Sequence, residues 1–167
     1  MQRVGKPGWA QRIIAAMNGI IVIAHAPLAS ALRQCVLHVF PDAGPVVQAL
    51  DVPAQQAPEA SLAQLQALLQ QPGTSHYLLL ADIVGATPCN VAAQAADGVR
   101  TRLLAGVNLP MLLRAVCYRH EALDALCARA LQGGTLGVQA LPDLPALALQ
   151  RPTSSPSHAQ NHRDHQQ

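Results

Sequence analysis

Aromatic residues are scarce in this sequence: its 167 residues include one Trp, two Tyr and one Phe. Few side chains are therefore available to stack on nucleic-acid bases. Lys and Arg number 11 against 9 for Asp and Glu, and the arginines are isolated along the chain and form no basic stripe. These two shortages argue against nucleic acid as a partner.

The sequence also lacks the cysteine spacings of a metal site or a redox motif. It contains no C-x-x-C pair, and its histidines do not stand at ligand spacing from the cysteines. Free thiols in a reducing cytosol are the favoured interpretation. Neither a Walker-type loop nor a carboxylate cluster is present, so we expect no metal and no bound nucleotide or other cofactor. The four cysteines are Cys35, Cys89, Cys117 and Cys127.

The start of the chain allows two interpretations. "MQRVGKPGWAQR" is basic and the segment Ile13–Leu32 carries no formal charge, which fits a secretory signal or a short membrane anchor. Against this, Asn18, His25 and Pro27 interrupt the segment, and cleavage after Ala31 would remove the best predicted strand. A secreted or anchored α/β ligand-binding domain therefore stays an alternative to a cytoplasmic protein.

Three parts of the chain differ in composition. We predict that residues 1–16 are an N-terminal extension and that residues 17–141 form one folded domain, which is long enough to bury a sizeable core. Residues 142–167 are polar and rich in Pro and Ser. Such a segment cannot bury enough apolar surface to offset its ordering entropy, so we predict a disordered tail.

Between these ends, short β-branched runs alternate with helix-like segments. That alternation predicts an α/β fold: a doubly wound three-layer sandwich with a mostly parallel, four-stranded sheet that is covered on both faces. A short last strand is predicted after the final helix. The predicted strands are 19–24, 45–52, 76–83, 100–106 and 133–141, and the predicted helices are 26–40, 58–71, 87–97 and 109–132.

Polar residues follow three of the predicted strands. His25 follows the first strand, Asp82 follows the third, and Asn108 follows the fourth. In an open α/β sheet, functional residues are expected beyond the carboxyl ends of the strands. The helix that follows each strand has a proline in its predicted first turn, with Thr87 and Asn108 as caps of the last two. Three helix amino termini would thus form an anion site at one edge of the sheet.

His25 and Asp82 form the centre of this predicted site. If the first and third strands are neighbours, the Asp82 carboxylate can accept the Nδ1–H of His25 and leave Nε2 free to attack phosphorus. A phosphoryl carrier suits such an arrangement. The alternative is that Asp82 merely caps a loop and that His25 is a satisfied interior histidine.

Three stretches of the sequence resemble a known family. "IVIAHAPLASAL", "LLLADIVGATPCNVAA" and "LAGVNLPMLLRA" are similar to the three signature regions of the enzyme IIA domain of the mannose/fructose-type phosphoenolpyruvate-dependent sugar phosphotransferase system. The similarity extends from Asn18 to Leu141. In this resemblance Asp82 matches the aspartate that orients the histidine, Thr87 the hydroxyl residue that hydrogen-bonds the phosphate, and 106–110 the segment around the family's asparagine and proline.

The resemblance implies a cytoplasmic phosphotransferase. It would accept a phosphoryl group from the histidine-containing phosphocarrier protein on His25 and pass it to a separate IIB partner for sugar uptake. Contact with a membrane would occur only through a transporter complex. Family members are usually homodimers in which the last strand joins the partner's sheet, so an exchanged strand is expected here.

Two other functions are open on the same fold. Phosphorylated His25 could serve as a regulatory signal, or the protein could be the phosphoryl donor subunit of a dihydroxyacetone kinase. The sequence also departs from the family pattern at Ala26, Ala86 and Cys89, which replace a glycine, a loop glycine and an aromatic residue. Because Ala86 tolerates positive φ poorly, either the loop is shifted or φ at this position is negative.

Overall fold

The chain forms a four-stranded sheet flanked by helices in a computed structural model that describes residues 17–140. The strand order is β2-β1-β3-β4, and each neighbouring pair is parallel. The predicted α/β class and the four-stranded parallel sheet are confirmed. The strands are β1 (Gly19–His25), β2 (Val47–Val52), β3 (Tyr77–Ala81) and β4 (Thr101–Ala105). The helices are α1 (Leu28–Val39), α2 (Pro58–Leu69), α3 (Thr87–Ala95), α4 (Leu109–Cys117) and α5 (Leu123–Leu136), with a 3₁₀ turn at Pro41–Ala43.

Strand β1 lies inside the sheet and is buried on both faces. Ile20 and Val22 pack with residues of α1, α4 and α5, whereas Ile21 and Ile23 pack with residues of α2 and α3. Burial on both faces explains why the strand is a continuous apolar run and does not alternate. This run belongs to the uncharged segment that also fitted a membrane anchor. Within residues 17–140, none of the helices is both long and apolar enough to span a membrane.

The connections between strands locate the edge where chemistry is expected. Helix α1 joins β1 to its neighbour β2, and α2 crosses the other face of the sheet to β3, on the opposite side of β1. The crossovers therefore diverge between the carboxyl ends of β1 and β3. In doubly wound sheets this divergence opens a crevice in which ligands and reacting groups are placed.

The prediction of one long helix over 109–132 is wrong, because two helices separated by residues 118–122 occupy this region. Asn18 stabilises the break. Its side-chain amide donates to the carbonyl oxygens of Arg119 at 2.9 Å and Glu121 at 2.7 Å. Its backbone N–H also donates to the Arg119 carbonyl at 2.9 Å. These carbonyls are thus satisfied by the start of β1 and not by a continuing helix.

The short last strand predicted over 133–141 is also wrong for the residues described. Helix α5 continues through Gly133 and Gly134, and no strand follows up to residue 140. The glycines allow α5 to pack closely on α4. A Cβ at Gly133 would lie 2.7 Å from the Cβ of Arg114, and one at Gly134 would lie 2.6 Å from the Cε of Met111. Contact between the helices therefore explains this pair of glycines.

The predicted N-terminal extension, residues 1–16, and the predicted tail, residues 142–167, lie outside the described residues. The described segment begins at the Met17 predicted as the start of the domain and includes all but the last residue of that domain.

Candidate functional site

The carboxyl ends of β1 and β3 bring His25 and Asp82 into contact. One carboxylate oxygen of Asp82, Oδ2, lies 2.6 Å from Nδ1 of His25 and also accepts the backbone N–H of His25 at 2.9 Å. The other oxygen accepts the N–H of Ile83 at 2.8 Å. Asp82 therefore holds both the ring of His25 and the backbone that carries it.

The two side chains differ in exposure. The His25 side chain is 52% exposed and that of Asp82 is 9% exposed. Burial by itself would raise the pKa of Asp82, but hydrogen bonds from the backbone and ring of His25 and from Ile83 outweigh it and lower the pKa. The carboxylate is thus ionised at neutral pH and accepts a hydrogen bond from the Nδ1–H group of His25. Nε2 is the ring nitrogen left for a reaction at the surface.

The start of α1 differs from the prediction. Pro27 precedes the helix and makes no side-chain cap. Instead Asp51, on β2 and in register with Ala24 of β1, accepts the N–H of Ser30 at 3.1 Å and the hydroxyl of Ser30 at its other oxygen. The expectation that α1 presents unpaired N–H groups to the site is therefore wrong for Ser30, which is capped by a carboxylate from another strand.

The sequence patterns did not single out Asp51, but two signals point to such a residue. A helix that follows a proline lacks a cap of its own, because proline has no hydroxyl, amide or carboxyl group in its side chain. Asp51 is also the charged residue inside an otherwise mainly apolar strand pattern. Together these features indicate a carboxylate at the end of a neighbouring strand that caps the helix.

The N-cap of α3 lies one residue earlier than predicted. Ala86 is the N-cap, because its carbonyl accepts the first helical hydrogen bond, from Asn90 N–H at 2.9 Å. Thr87 is therefore the first helical residue and not the cap, and its side chain is exposed. Helix boundaries shift by a residue easily when sequence patterns alone define them.

In the loop before α3, the φ angle of Ala86 is negative. Gly85 adopts a φ of +83°, whereas Ala86 is extended with a φ of −82°. The positive φ thus falls on the glycine, for which it is unstrained. The side-chain amide of Asn90 donates to the Gly85 carbonyl at 3.1 Å and braces this loop from within α3.

Helix α4 begins as predicted. Asn108 is its N-cap, with Oδ1 accepting the N–H of Met111 at 2.9 Å and Pro110 in the first turn. The side-chain amide of Asn108 also donates to the Gly134 carbonyl at 3.1 Å, which joins α4 to α5. Just before this cap, Gly106 N–H donates to the backbone carbonyl of Asp82 at 3.1 Å. The start of α4 is thus linked to the residue that holds His25.

His25 stands on an open surface. A cavity of about 480 Å³, lined in part by His76, His120, Glu121 and Asp124, lies at the opposite edge of the sheet, where β3 begins. In the stretch from residue 17 to 140, no group of three or more His, Cys, Asp and Glu side chains is placed to hold a metal ion. An exposed histidine whose ring is oriented by a carboxylate suits a reaction with a group presented by another protein.

The chain is similar in sequence to known proteins. The chain matches the family model EIIA-man, described as the PTS system fructose IIA component, over residues 19–131. It is 46% identical over 63 residues to the PTS system fructose-specific EIIA component of Bacillus subtilis (strain 168). That match covers 36% of this chain and 43% of the relative, so it spans less than half of the relative's length.

Solved structures share the fold. The mannose/sorbose specific IIA subunit of the phosphotransferase system from Enterococcus faecalis superposes with a TM-score of 0.70 and 30% identity, over 78% of this chain and 98% of that one. The phosphotransferase system component EIIA from Streptococcus agalactiae has a TM-score of 0.66 and 23% identity, over 74% and 97% of the two chains. At that lower identity the likeness is one of fold.

Proposed function

The chain belongs to the EIIA-man family of phosphotransferase-system IIA components, and from that premise we propose that it is a phosphoryl carrier that accepts phosphate on Nε2 of His25. The observation that carries the proposal is the 2.6 Å contact between Nδ1 of His25 and Asp82. It assigns one ring nitrogen to the carboxylate and leaves the other for phosphorus. We propose the histidine-containing phosphocarrier protein as the donor and a separate IIB protein as the acceptor.

The reaction needs little covalent machinery. The lone pair on Nε2 of His25 forms a P–N bond while the P–N bond to the donor's ring breaks, and the donor ring leaves neutral because it carries a proton on its other nitrogen. The His25 ring keeps its Nδ1 proton and becomes positively charged. The ionised carboxylate of Asp82 offsets that charge, so its contribution is largest in the phosphorylated state and the transition state that leads to it.

The phosphoryl oxygens need partners as well. Thr87 is exposed at the first position of α3, where its hydroxyl and backbone N–H can donate to a phosphate that approaches His25. The start of α4 adds a second helix amino terminus, whose partial positive charge favours an anion. Proline at the second position of both helices removes one N–H from each first turn. We therefore propose that Thr87 donates hydrogen bonds to the phosphate and that the amino termini of α3 and α4 stabilise its negative charge.

The surface around His25 supports a protein as the donor. Leu28, Ile83 and Val84 are 41%, 58% and 79% exposed, and each belongs to a segment that directly follows β1 or β3. Exposed apolar side chains next to a reactive group are typical of protein-protein contact surfaces.

The proposal is tested by phosphorylation in solution. The purified protein, incubated with phosphoenolpyruvate, enzyme I and the phosphocarrier protein, should gain one acid-labile phosphoryl group, measured by intact mass. His25→Ala should gain none, whereas His76→Ala, at the opposite edge of the sheet, should be labelled as the wild type is. Labelling of the His25→Ala protein at the wild-type level would contradict the assignment.

The acceptor is tested separately. Phosphorylated wild-type protein, freed from the donor mixture, should lose its phosphoryl group to an added IIB protein of the same organism and not to dihydroxyacetone kinase subunits. Retention of phosphate in the presence of every such IIB protein would contradict the transport role and favour the regulatory one.

A further inference from the structure

Asp51 joins the end of β2 to the first turn of α1. One of its carboxylate oxygens accepts the backbone N–H of Ser30 and the other accepts the Ser30 hydroxyl. Both oxygens of Asp51 thus bind the same residue. Asp51 and Ser30 are half-buried; Asp51 lies near the end of β2, and Ser30 lies in the first turn of α1. Pro27, the N-cap residue of α1, makes no side-chain cap hydrogen bond of its own.

The segment held in this way is very short. Only Ala26 and Pro27 separate His25, the last residue of β1, from the first residue of α1. Ala26 N–H donates to the Val52 carbonyl at 3.1 Å, which continues the contact between β1 and β2 beyond the last paired residue. A shift of the first turn of α1 would therefore be transmitted to His25, because a link of two residues cannot absorb it.

We propose that Asp51 is a positioning residue for phosphoryl transfer: through Ser30 it holds the start of α1 and thereby the backbone on which His25 stands. The inference rests on the proposed function of His25. Asp51 acts on the side of β2, and Asp82 acts on the side of β3. The hydrogen bonds of the Asp51 side chain go to Ser30 and not to the His25 ring, so its effect reaches the reaction through backbone geometry.

Such an effect on rate is expected from the geometry of transfer. In-line attack requires the nucleophilic nitrogen to stand at a defined distance and angle from phosphorus, and a displacement of about 1 Å can cost up to about a hundredfold in rate. Asp51→Ala removes both contacts with Ser30. We expect the single-turnover rate from phosphorylated carrier to fall by roughly tenfold to a hundredfold.

Two milder variants separate geometry from charge. In Asp51→Asn the amide oxygen can accept the Ser30 N–H and the amide nitrogen can donate to the Ser30 hydroxyl, so both contacts survive without the charge. This variant should recover most of the wild-type rate. Ser30→Ala keeps the contact through its backbone N–H, and its transfer rate should lie between those of the wild type and Asp51→Ala. A rate for Asp51→Asn as low as that of Asp51→Ala would overturn the geometric explanation.

Asp97 offers a matched control for lost stability. One oxygen of Asp97 accepts the N–H groups of Val99, Arg100 and Thr101 at 2.9, 2.7 and 2.9 Å, so it also organises backbone ahead of an element. It lies before β4, at the edge of the sheet away from His25. Asp97→Ala should lower the melting temperature but leave the transfer rate unchanged, with all rates measured well below the melting transitions.

Nuclear magnetic resonance supplies a readout that lost stability alone would not change. The Nδ1 proton shared with Asp82 should give a downfield signal in the wild type and in Asp97→Ala, and this signal should shift or broaden in Asp51→Ala. Transfer by Asp51→Ala at the wild-type rate, or an equal loss of rate in Asp97→Ala, would refute the inference. Failure of the wild type to be phosphorylated would refute the proposed function itself, so the two failures are distinguishable.

Discussion

Replacing Asp82 with Asn tests whether the charge of this residue, and not only its shape, supports the reaction. The amide oxygen can occupy the position of Oδ2 and keep both hydrogen bonds from His25, at 2.9 Å from the backbone and 2.6 Å from the ring. The amide nitrogen then faces the N–H of Ile83, which loses its acceptor. The variant thus preserves the orientation of His25 but removes the charge that offsets the phosphorylated ring.

The magnitude follows from the charge lost, because the amide keeps the hydrogen bond but no longer attracts the positive ring. Two opposite charges about 4 Å apart near a protein surface attract each other by about 4 kcal/mol. Because the His25 side chain is 52% exposed, water screens part of this attraction, and we take less than half of it, about 1.5–2 kcal/mol. Transfer should therefore slow by about tenfold to thirtyfold. Thr87→Ala, which removes one neutral hydrogen bond to phosphate, should slow it by about fivefold.

Single-turnover transfer from phosphorylated carrier, measured together with circular dichroism melts, decides the matter. Loss of the Ile83 contact should lower the melting temperature of Asp82→Asn by about 2–5 °C, which leaves the protein folded at the assay temperature. A wild-type transfer rate in the folded variant would mean that the charge of Asp82 does not assist the reaction. A larger effect of Thr87→Ala than of Asp82→Asn would contradict the ranking.

Three further predictions concern the fold. Gly133→Ala should lower the free energy of unfolding in urea by about 1–3 kcal/mol, because a Cβ there would overlap α4. Gly44→Ala, where a Cβ meets nothing within 4 Å, should have little effect. Equal losses of stability in the two variants would contradict this explanation. Hydrogen bonds from backbone N–H groups, that of Val99 foremost, lower the pKa of Asp97. The ionised carboxylate should therefore stabilise the fold fully above about pH 4 and lose this effect as the pH falls further. If the melting temperature fell with acid pH in the same way in Asp97→Ala as in the wild type, this prediction would be refuted. A shortened chain of residues 17–141 should match the full chain in melting temperature and phosphorylation, and a lower melting temperature would place the domain boundary elsewhere.

The parts of the fold that the sequence predicts are those written in continuous or periodic apolar patterns. Strands β1 and β3 are buried on both faces, so every residue must be apolar until the chain leaves the sheet. The first polar residues after these runs are His25 and Asp82, and the parallel arrangement brings them to the same edge. Their proximity could therefore be predicted from one sequence, given only the strand order.

The parts that the sequence does not predict depend on contacts between distant segments. The sequence pattern places Gly133 and Gly134 at the start of a strand, but they are required by the close approach of α5 to α4. The break between these helices is held by Asn18, about a hundred residues earlier. No local pattern encodes either contact, so the final helix and strand were predicted wrongly from the same kind of reasoning that succeeded for β1 and β3.

The two carboxylates next to β1 show how the sheet itself organises the site. Asp82 follows β3 and accepts the N–H of His25, while Asp51 on β2 accepts the N–H of Ser30, so each neighbouring strand binds one end of the segment that leaves β1. Only Asp82 also contacts the ring, and it alone can respond to charge on it. Asp82 thus supplies both position and charge, whereas Asp51 supplies position alone. Asp51→Asn should therefore leave the transfer rate nearly unchanged while Asp82→Asn lowers it, although each substitution removes one negative charge. Equal losses of rate in the two variants would show that transfer is controlled by the net charge at this edge of the sheet and not by the different roles of the two residues.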